Sequence, residues 1–444
     1  VKRRWLLEAP EALCVCVGAA LRLGGRDYAP LWGYDFQQHW YYVEYLAKHH
    51  AIPPPSYGTA AYHPPLYYWI AAWLSTPGAA QMFSIVAGIA RLILLWVGLR
   101  IVLPGNRLAR TVALALAAVL PCSIQLDIMV TNEALNALLG TAALVVLVLM
   151  LRRKHLGWGI AEGALIGAML LTKVSGLIPL GLCALAAAVP LARRQGLRAA
   201  AAPLCAVALG VAIGMPFHLW RRSQTGEVIV SSPYQVVPEG IAYARSFDSV
   251  PYWRRRPLTY AFGMGHGEIF RQIPCQPADA DRFLPVLLAT SFGDYYNQWF
   301  SGLVDPAAPT VTVNDRPMAQ STVKLLRASI YAGAAIAIAI LCAWIAAARR
   351  ALRERNEELG LLLLAPALAT LGQLHYAIKY PFIHAGMVKA HYIQFVAAPL
   401  FGLFGVAVAW LWSRPRTRAA AIALCAALAV VAAYSIDART GWFR

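Results

Sequence analysis

The 444-residue chain is 59% hydrophobic and only 14% charged, with a formal net charge of +18. Soluble globular chains are about a quarter charged, so a soluble fold is excluded and an all-α polytopic membrane protein is expected. The basic residues stand in short clusters between apolar runs, the positive-inside pattern, so the high pI of about 9.8 speaks for membrane topology and against nucleic acid. Of the eight cysteines, only Cys275 falls in a long polar stretch. No CxxC spacing occurs, so neither a structural zinc nor a disulfide framework is expected.

Each crossing needs about 20 apolar residues. The first run covers 5–23, with Lys2, Arg3 and Arg4 holding its start in the cytoplasm. It contains Glu8, Pro10 and Glu11 and no small-residue cleavage site, so it is expected to stay in the membrane as a signal anchor. A polar, aromatic, Pro-rich loop follows at 24–78. Within it Trp40–His50 reads as an interfacial helix, carrying the i,i+4 pair Glu44 and Lys48. Residues 64–76 read as a second, with Pro64 and Pro65 at its start, where a missing N–H costs little. Further spans are expected at 81–103, 110–128, 131–151, 156–172, 174–191 and 199–219. Residues 220–324 mix Pro, Gly, Arg, Asp and aromatics, with short strands suggested by alternation such as Glu227–Val230. The last spans are expected at 326–347, 359–378, 388–412 and 419–436.

That makes about eleven crossings. They divide the chain into an N-terminal transmembrane module (1–219), an extracytoplasmic loop domain (220–324) and a C-terminal transmembrane module (325–444). Every basic cluster then falls on the cytoplasmic side. The first loop, the 220–324 region and the loop after Lys379 share the other face. No internal repeat is visible, so an inverted-repeat transporter gains no support.

Asp35 follows a glycine-containing turn just after the first span. A carboxylate at the hydrophobic boundary is suited to general-base work, and partial burial would raise its pKa toward that task; the alternative readings are a solvated loop acid, as loop acids usually are, and a cap for a helix starting near Phe36. His39 lies one helical turn on and is placed to face the same site. Two ligand types without further partners do not make a metal site, so no cofactor is expected and a divalent metal is not favoured. His63, aimed by the two prolines that follow it, reads equally as a substrate contact and as packing, whereas Tyr67, Tyr68 and Trp69 read as an interfacial aromatic belt.

Ionisable groups at membrane depth are costly and default to functional candidates. Arg91, Asp127, Glu133, Glu162 and Lys173 are of this kind. Lys379, Lys389, His391 and Tyr392 cluster at the outer ends of the 359–378 and 388–412 spans, where cations around an apolar cleft suit a phosphate. For Lys379 snorkelling to headgroups is an equal reading. Ser291 to Trp299 is dense in polar and aromatic residues, which suits sugar contact or a local core. Arg254, Arg255 and Arg256 read as a solvated or headgroup-facing patch.

At these positions the chain resembles the GT-C superfamily of membrane glycosyltransferases, in particular the protein O-mannosyltransferase and lipid A aminoarabinose-transferase type. The resemblance is carried by Gly33-Tyr34-Asp35, by the run from Tyr62 through His63, Pro64, Pro65, Leu66 and Tyr67 to Tyr68, by Ala90-Arg91-Leu92, by Thr131-Asn132-Glu133-Ala134-Leu135 and by Leu171-Thr172-Lys173. It covers 24–180 well and 380–400 loosely. It implies a transferase that uses a polyprenyl-phosphate-linked sugar on the outer face. Asp35 would deprotonate the acceptor hydroxyl, the sugar would transfer with inversion, and Lys173, Lys389 and His391 would hold the departing phosphate. Tyr62, His39, His63, Arg91, Glu133 and Tyr392 complete the expected substrate-binding set. Relatives often carry an acidic pair in the first loop; here Phe36 follows Asp35, which argues further against a metal. The expected partners are the polyprenyl-phosphate sugar, a lipid, glycan or protein acceptor, and membrane lipids. The expected location is a bacterial plasma (inner) membrane, with the active site extracytoplasmic. A transporter or flippase of lipid-linked sugars, or a non-enzymatic envelope assembly partner, are the competing classes. A transporter would spread charges across the depth of several spans, whereas here most sit at one face.

Overall fold

The computed structural model describes residues 2–27, 35–263, 282–293, 310–313, 316–381 and 388–440. Each of the apolar runs carries helix. Among the described residues seven helices are long and apolar enough to cross a membrane, and up to nine if each bent pair counts as one span. Two expected spans fall outside that number. Helix α1 (Lys2–Leu23) carries Glu8, Glu11 and Arg22 within its apolar run, and α8 (Leu156–Leu170) has only 15 residues.

The first-loop helices are α2 (Phe36–His49), which starts four residues before the expected Trp40, and α3 (Leu66–Leu74). Helix α4 (Pro77–Val102) opens with Pro77 at its first turn, and Thr76 Oγ1 accepts from Ala79 N at 3.2 Å. That is the cap-plus-proline start that satisfies an orphan N–H and omits another. Helix α5 (Arg107–Val119) is capped by Asn106 in the same way. The third span then breaks at Leu120–Pro121, where α6 (Pro121–Asp127) turns away by 55°. Proline lacks the donor that would continue the ladder. A sharper 83° bend separates Ala390–Val396 from Ala398–Trp412, with Pro399 in the first turn of the second helix. Helices α7 (Asn132–Arg153), α9 (Leu177–Ala192) and α10 (Leu197–Thr225) are continuous.

Helices α8 and α10 pack through glycines spaced four apart. A Cβ at Gly159, Gly163 or Gly167 would collide with Ala202, Leu209 or Ile213. This is the small-residue approach that membrane helices use where the hydrophobic effect offers no attraction between them. The outward faces carry apolar residues such as Leu13, Ile338 and Leu341, each more than half exposed and suited to lipid.

The basic ends gather at one face. Arg152 Nη2 meets Glu358 Oε1 at 2.7 Å, Arg193 pairs with Glu357, and Arg100 and Arg110 bind Glu11 on α1. The two acids that interrupt the first apolar run are therefore counter-charges for arginines of this basic face. Helix α7 measures the distance to the other face. Glu133 opens it and Arg152 closes it, and 22 residues span about 33 Å.

The region after α10 departs from the sequence reading. Glu227–Val230 forms no strand, because the segment is a bend that follows the α10 C-cap at Gly226. The strands lie instead at Thr310–Val313 and Arg316–Ala319, as an antiparallel hairpin. A buried apolar helix, Phe283–Phe292, packs into the core with Ile330, Ile128 and Tyr434. Of the Ser291–Trp299 stretch, residues 294–299 lie outside the described residues.

One buried network joins the first three spans. Arg22 Nε and Arg91 Nη2 approach the same Asp127 Oδ2, at 2.7 and 2.9 Å, and all three side chains are at most 7% exposed. Removing one partner of a buried ion group leaves uncompensated charge. Asp127→Ala is expected to cost about 3–5 kcal/mol, read as a loss of thermal stability in detergent. A melting curve like that of the wild type would show that the network is not a fold determinant.

Candidate active site

The face opposite the basic clusters is assembled from the first loop, the start of α7, the α8–α9 break and the segment before Ala390. Asp35 sits at the N-terminus of α2 with φ 50° and ψ 15°, a left-handed conformation that Asp tolerates better than most residues. Its backbone carbonyl accepts from Gln38 N and His39 N. Its side chain makes no capping bond, so the alternative reading as a side-chain cap does not describe it. The side chain is also 63% exposed, so the partial burial expected of it is not found. Lys389 Nζ lies 3.8 Å from Asp35 Oδ2.

Lys173 arrives from the break after α8. There Lys173 N donates to Met169 O at 2.7 Å, and Asn132 Nδ2 donates to Thr172 O at 3.3 Å, tying the break to the start of α7. Lys173 pairs with Glu133, itself 4% exposed. Its ammonium also lies 4.5 Å from the centre of the Tyr392 ring, and Lys389 lies 5.8 Å from the same ring. Two lysines thus lie within cation–π range of one aromatic ring. Lys389 is fixed from behind, because its carbonyl accepts from Gln373 Nε2 at 2.7 Å and the next amide, Ala390 N, donates to Thr290 Oγ1. Burial lowers the Lys389 pKa, while the Asp35 charge pulls it back up. His391 is buried, with its ring 4.4 Å from Tyr392.

Beneath Asp35 the aromatic residues stack. His39 and His63 lie parallel at 5.7 Å, and Tyr62 lies 4.1 Å from His63. Burial pushes His39 down to about 4 and His63 well below its ordinary value, so both rings are neutral at physiological pH. Leu66 N donates to Leu171 O at 2.8 Å, which pins the aromatic run to the Lys173 break. Arg221, on α10, holds the loop from below through Pro53 O and Ala61 O.

The structure therefore brings together Asp35, His39, His63, Tyr62, Glu133, Lys173, Lys389, His391 and Tyr392. Arg91 is placed elsewhere, in the Asp127 network. Lys379 lies over Tyr380, and its carbonyl accepts from Arg255. Arg255 and Arg256 are half-buried, and only Arg254 has the exposure expected of that patch. Glu162 is enclosed between α8 and α9 beside Cys183. Tyr67 and Tyr68 are not belt residues: both are fully buried, and only Trp69 of that trio is exposed. Sequence reasoning missed Tyr234 and Tyr376. Tyr376 Oη donates to Ser232 Oγ at 2.8 Å, docking the segment whose Tyr234 feels the Asp35 charge. Their only sequence signal was aromatic content in two polar stretches. Among the described residues no three His, Cys, Asp or Glu side chains converge as a metal's donor set. The cationic partner of Asp35 is instead an ammonium.

No family profile and no curated protein sequence matches the chain. Its structure is similar to that of the oligosaccharyltransferase of Archaeoglobus fulgidus tethered with an acceptor peptide containing the NVT sequon. The TM-score is 0.56 at 12% identity, over 98% of this chain and 55% of that one. The same enzyme in complex with Zn and sulfate gives 0.55 at 14% identity, over 96% and 53%. ArnT from Cupriavidus metallidurans bound to undecaprenyl phosphate gives 0.48 at 15% identity, over 97% and 75%. The chain spans about half the length of the oligosaccharyltransferase. The protein is thus a multi-pass membrane protein whose fold is similar to that of the oligosaccharyltransferase.

The Lys173–Glu133 pair lends itself to a direct test. Glu133→Gln leaves an ammonium buried beside Tyr392 without its carboxylate, at an expected cost of about 3–5 kcal/mol. The double variant Glu133→Gln/Lys173→Met is expected to recover part of that stability in a thermal double-mutant cycle. Strict additivity of the two single effects would mean that the pair is not coupled.

Proposed function

We propose that the chain is a membrane glycosyltransferase that moves a sugar from a polyprenyl-phosphate donor to an acceptor hydroxyl, with inversion, on the extracytoplasmic face of a bacterial plasma membrane. One observation carries the reading. An exposed carboxylate that is not spent on capping stands 3.8 Å from one of two lysines that share the Tyr392 ring. This provides a base next to a phosphate-binding cation pair.

In the proposed reaction the acceptor O–H gives its proton to Asp35 while its oxygen attacks the sugar C1 from the face opposite the phosphate. The C1–O bond to phosphate breaks, and its electron pair leaves on the lipid phosphate, whose charge Lys389 and Lys173 stabilise in a low dielectric. Lys389 Nζ pairs with Asp35 Oδ2. A bound phosphate competes for that ammonium, and a carboxylate that loses its cation is a stronger base. Donor binding thereby arms the base. Neutral His39 and His63 suit this scheme, because a cation there would compete for Asp35. No step is routed through a metal.

Asp35→Asn is expected to lower transfer by about 10²-fold or more, the usual range for losing a general base, with the fold intact because the side chain is exposed. Turnover at the wild-type rate would remove Asp35 from this role. Labelling of an Asp35→Cys variant by membrane-impermeant thiol reagents in intact cells tests the sidedness independently. Protection there with reaction only after permeabilisation would place the site on the cytoplasmic face and end the proposal.

A further inference from the structure

Tyr68 is fully buried, and among the described residues its hydroxyl has one hydrogen-bond partner, His39 Nδ1 at 2.7 Å. Rings enclose it: Tyr42 stacks on its face at 3.8 Å and Tyr67 meets it edge-on at 5.4 Å. Two arrangements of the shared proton are open to this pair. If His39 Nδ1 carried the hydrogen, Tyr68 would accept it, and the phenol's own proton would be buried without an acceptor, which costs its full desolvation. If Tyr68 donates, both groups are satisfied. The second arrangement leaves Nδ1 as acceptor and puts the ring proton on Nε2.

We propose that Tyr68 is a positioning residue that locks His39 as the neutral Nε2–H tautomer, so that His39 offers an uncharged donor to an oxygen of the substrate bound beside Asp35. The inference rests on the transferase reading of the site for the identity of that substrate, and on the Tyr68 contact alone for the tautomer. The charged and titratable groups around His39 explain why neutrality matters. Lys173, Lys389, His63 and His391 come from three other segments, and Asp35 from its own helix. A third cation would repel the lysines and pair with the base. A neutral N–H holds a sugar hydroxyl or a phosphate oxygen without doing either. Burial acts in the same direction by keeping the ring from protonating near neutral pH.

The test uses the full chain, labelled with ¹⁵N-histidine, in lipid nanodiscs, with His39→Gln identifying the His39 signals among the ten histidines. Long-range ¹H–¹⁵N correlation is expected to show the Nε2–H pattern from pH 5.5 to 8 in the wild type. Tyr68→Phe removes the phenol that engages Nδ1, so His39 is expected to become a tautomer mixture that titrates at higher pH. Transfer should then fall about tenfold, the scale of one hydrogen bond, with an acid limb that the wild type lacks. An Nδ1–H or charged ring in the wild type overturns the Tyr68 assignment whatever the activity, and needs no variant to fold. Undecaprenyl phosphate and an undecaprenyl-phosphate hexose are then added in turn. A Nε2 shift with the first assigns the donor to phosphate, and a shift only with the second assigns it to sugar. An unmoved Nε2 in protein that retains the lipid overturns the donor role. Protein that retains neither lipid sinks the transferase reading and the donor role together, while the tautomer result stands.

Discussion

A lysine ammonium held at the edge of an apolar bundle needs a counter-charge, and Lys173 and Lys389 take theirs from two different carboxylates around one phenol ring. Glu133 meets Lys173 inside the protein, and Asp35 meets Lys389 at its surface. The difference in burial separates their roles. A pair closed on both sides is costly to open and acts as a fixture. A pair with one exposed partner is easily exchanged, because water already screens part of the attraction. The first pair keeps one cation in place. In the proposed reaction the second lets an incoming anion take over a cation and release a base.

The same constraint explains the charges that do not belong to the site. Arg22, Arg91 and Asp127 lie at comparable cost in the interior, but they pair with one another across α1, α4 and α6. Glu11 pairs with Arg100 and Arg110 at the basic face. A transporter reading needs ionisable groups strung along a path through the bundle. Here the Arg22–Arg91–Asp127 and Glu11 ion pairs are separate from the candidate site, where the Asp35 side chain is 63% exposed.

The apolar runs were legible because a membrane crossing imposes length and composition on a stretch of sequence without reference to its partners. Glu133, Lys173 and Lys389 stood out for a related reason, since each is an ionisable group at the end of an apolar run, and Asp35 stood out as an acid in the polar loop after the first run. What the sequence withheld was pairing. Arg91 has the same signature as Lys173, and only the approach of Asp127 shows that it is used internally. Tyr68 looked like one of three belt aromatics, because burial depends on how α2 lies across α3. The glycine ladder of α8 has a recognisable spacing but gives no clue that its partner is α10. The bend at Pro121 could be anticipated from proline's missing donor. The larger bend near Pro399 could not, since proline in a first turn is compatible with a straight entry. The 220–324 region was the least legible, because short helices such as Phe283–Phe292 have neither the length of a span nor the alternation of a strand.

Asp35 shows how local backbone geometry and the proposed chemistry fit together. A helix N-terminus leaves N–H groups without partners, and an acid placed there ordinarily spends its carboxylate on them. With φ at 50°, Asp35 instead directs its carbonyl to the Gln38 and His39 amides. That carbonyl takes the first backbone bonds of the helix, as an N-cap carbonyl does, while the carboxylate makes no capping bond and lies near Lys389 and solvent. A regular N-cap at this position would engage the side chain with the helix amides, which favours its charged form and makes it a poorer proton acceptor. The conformational cost of the turn thus bears directly on whether Asp35 can act as a base. A residue that keeps the acid but restores an extended backbone before α2 would test the geometry separately from the charge.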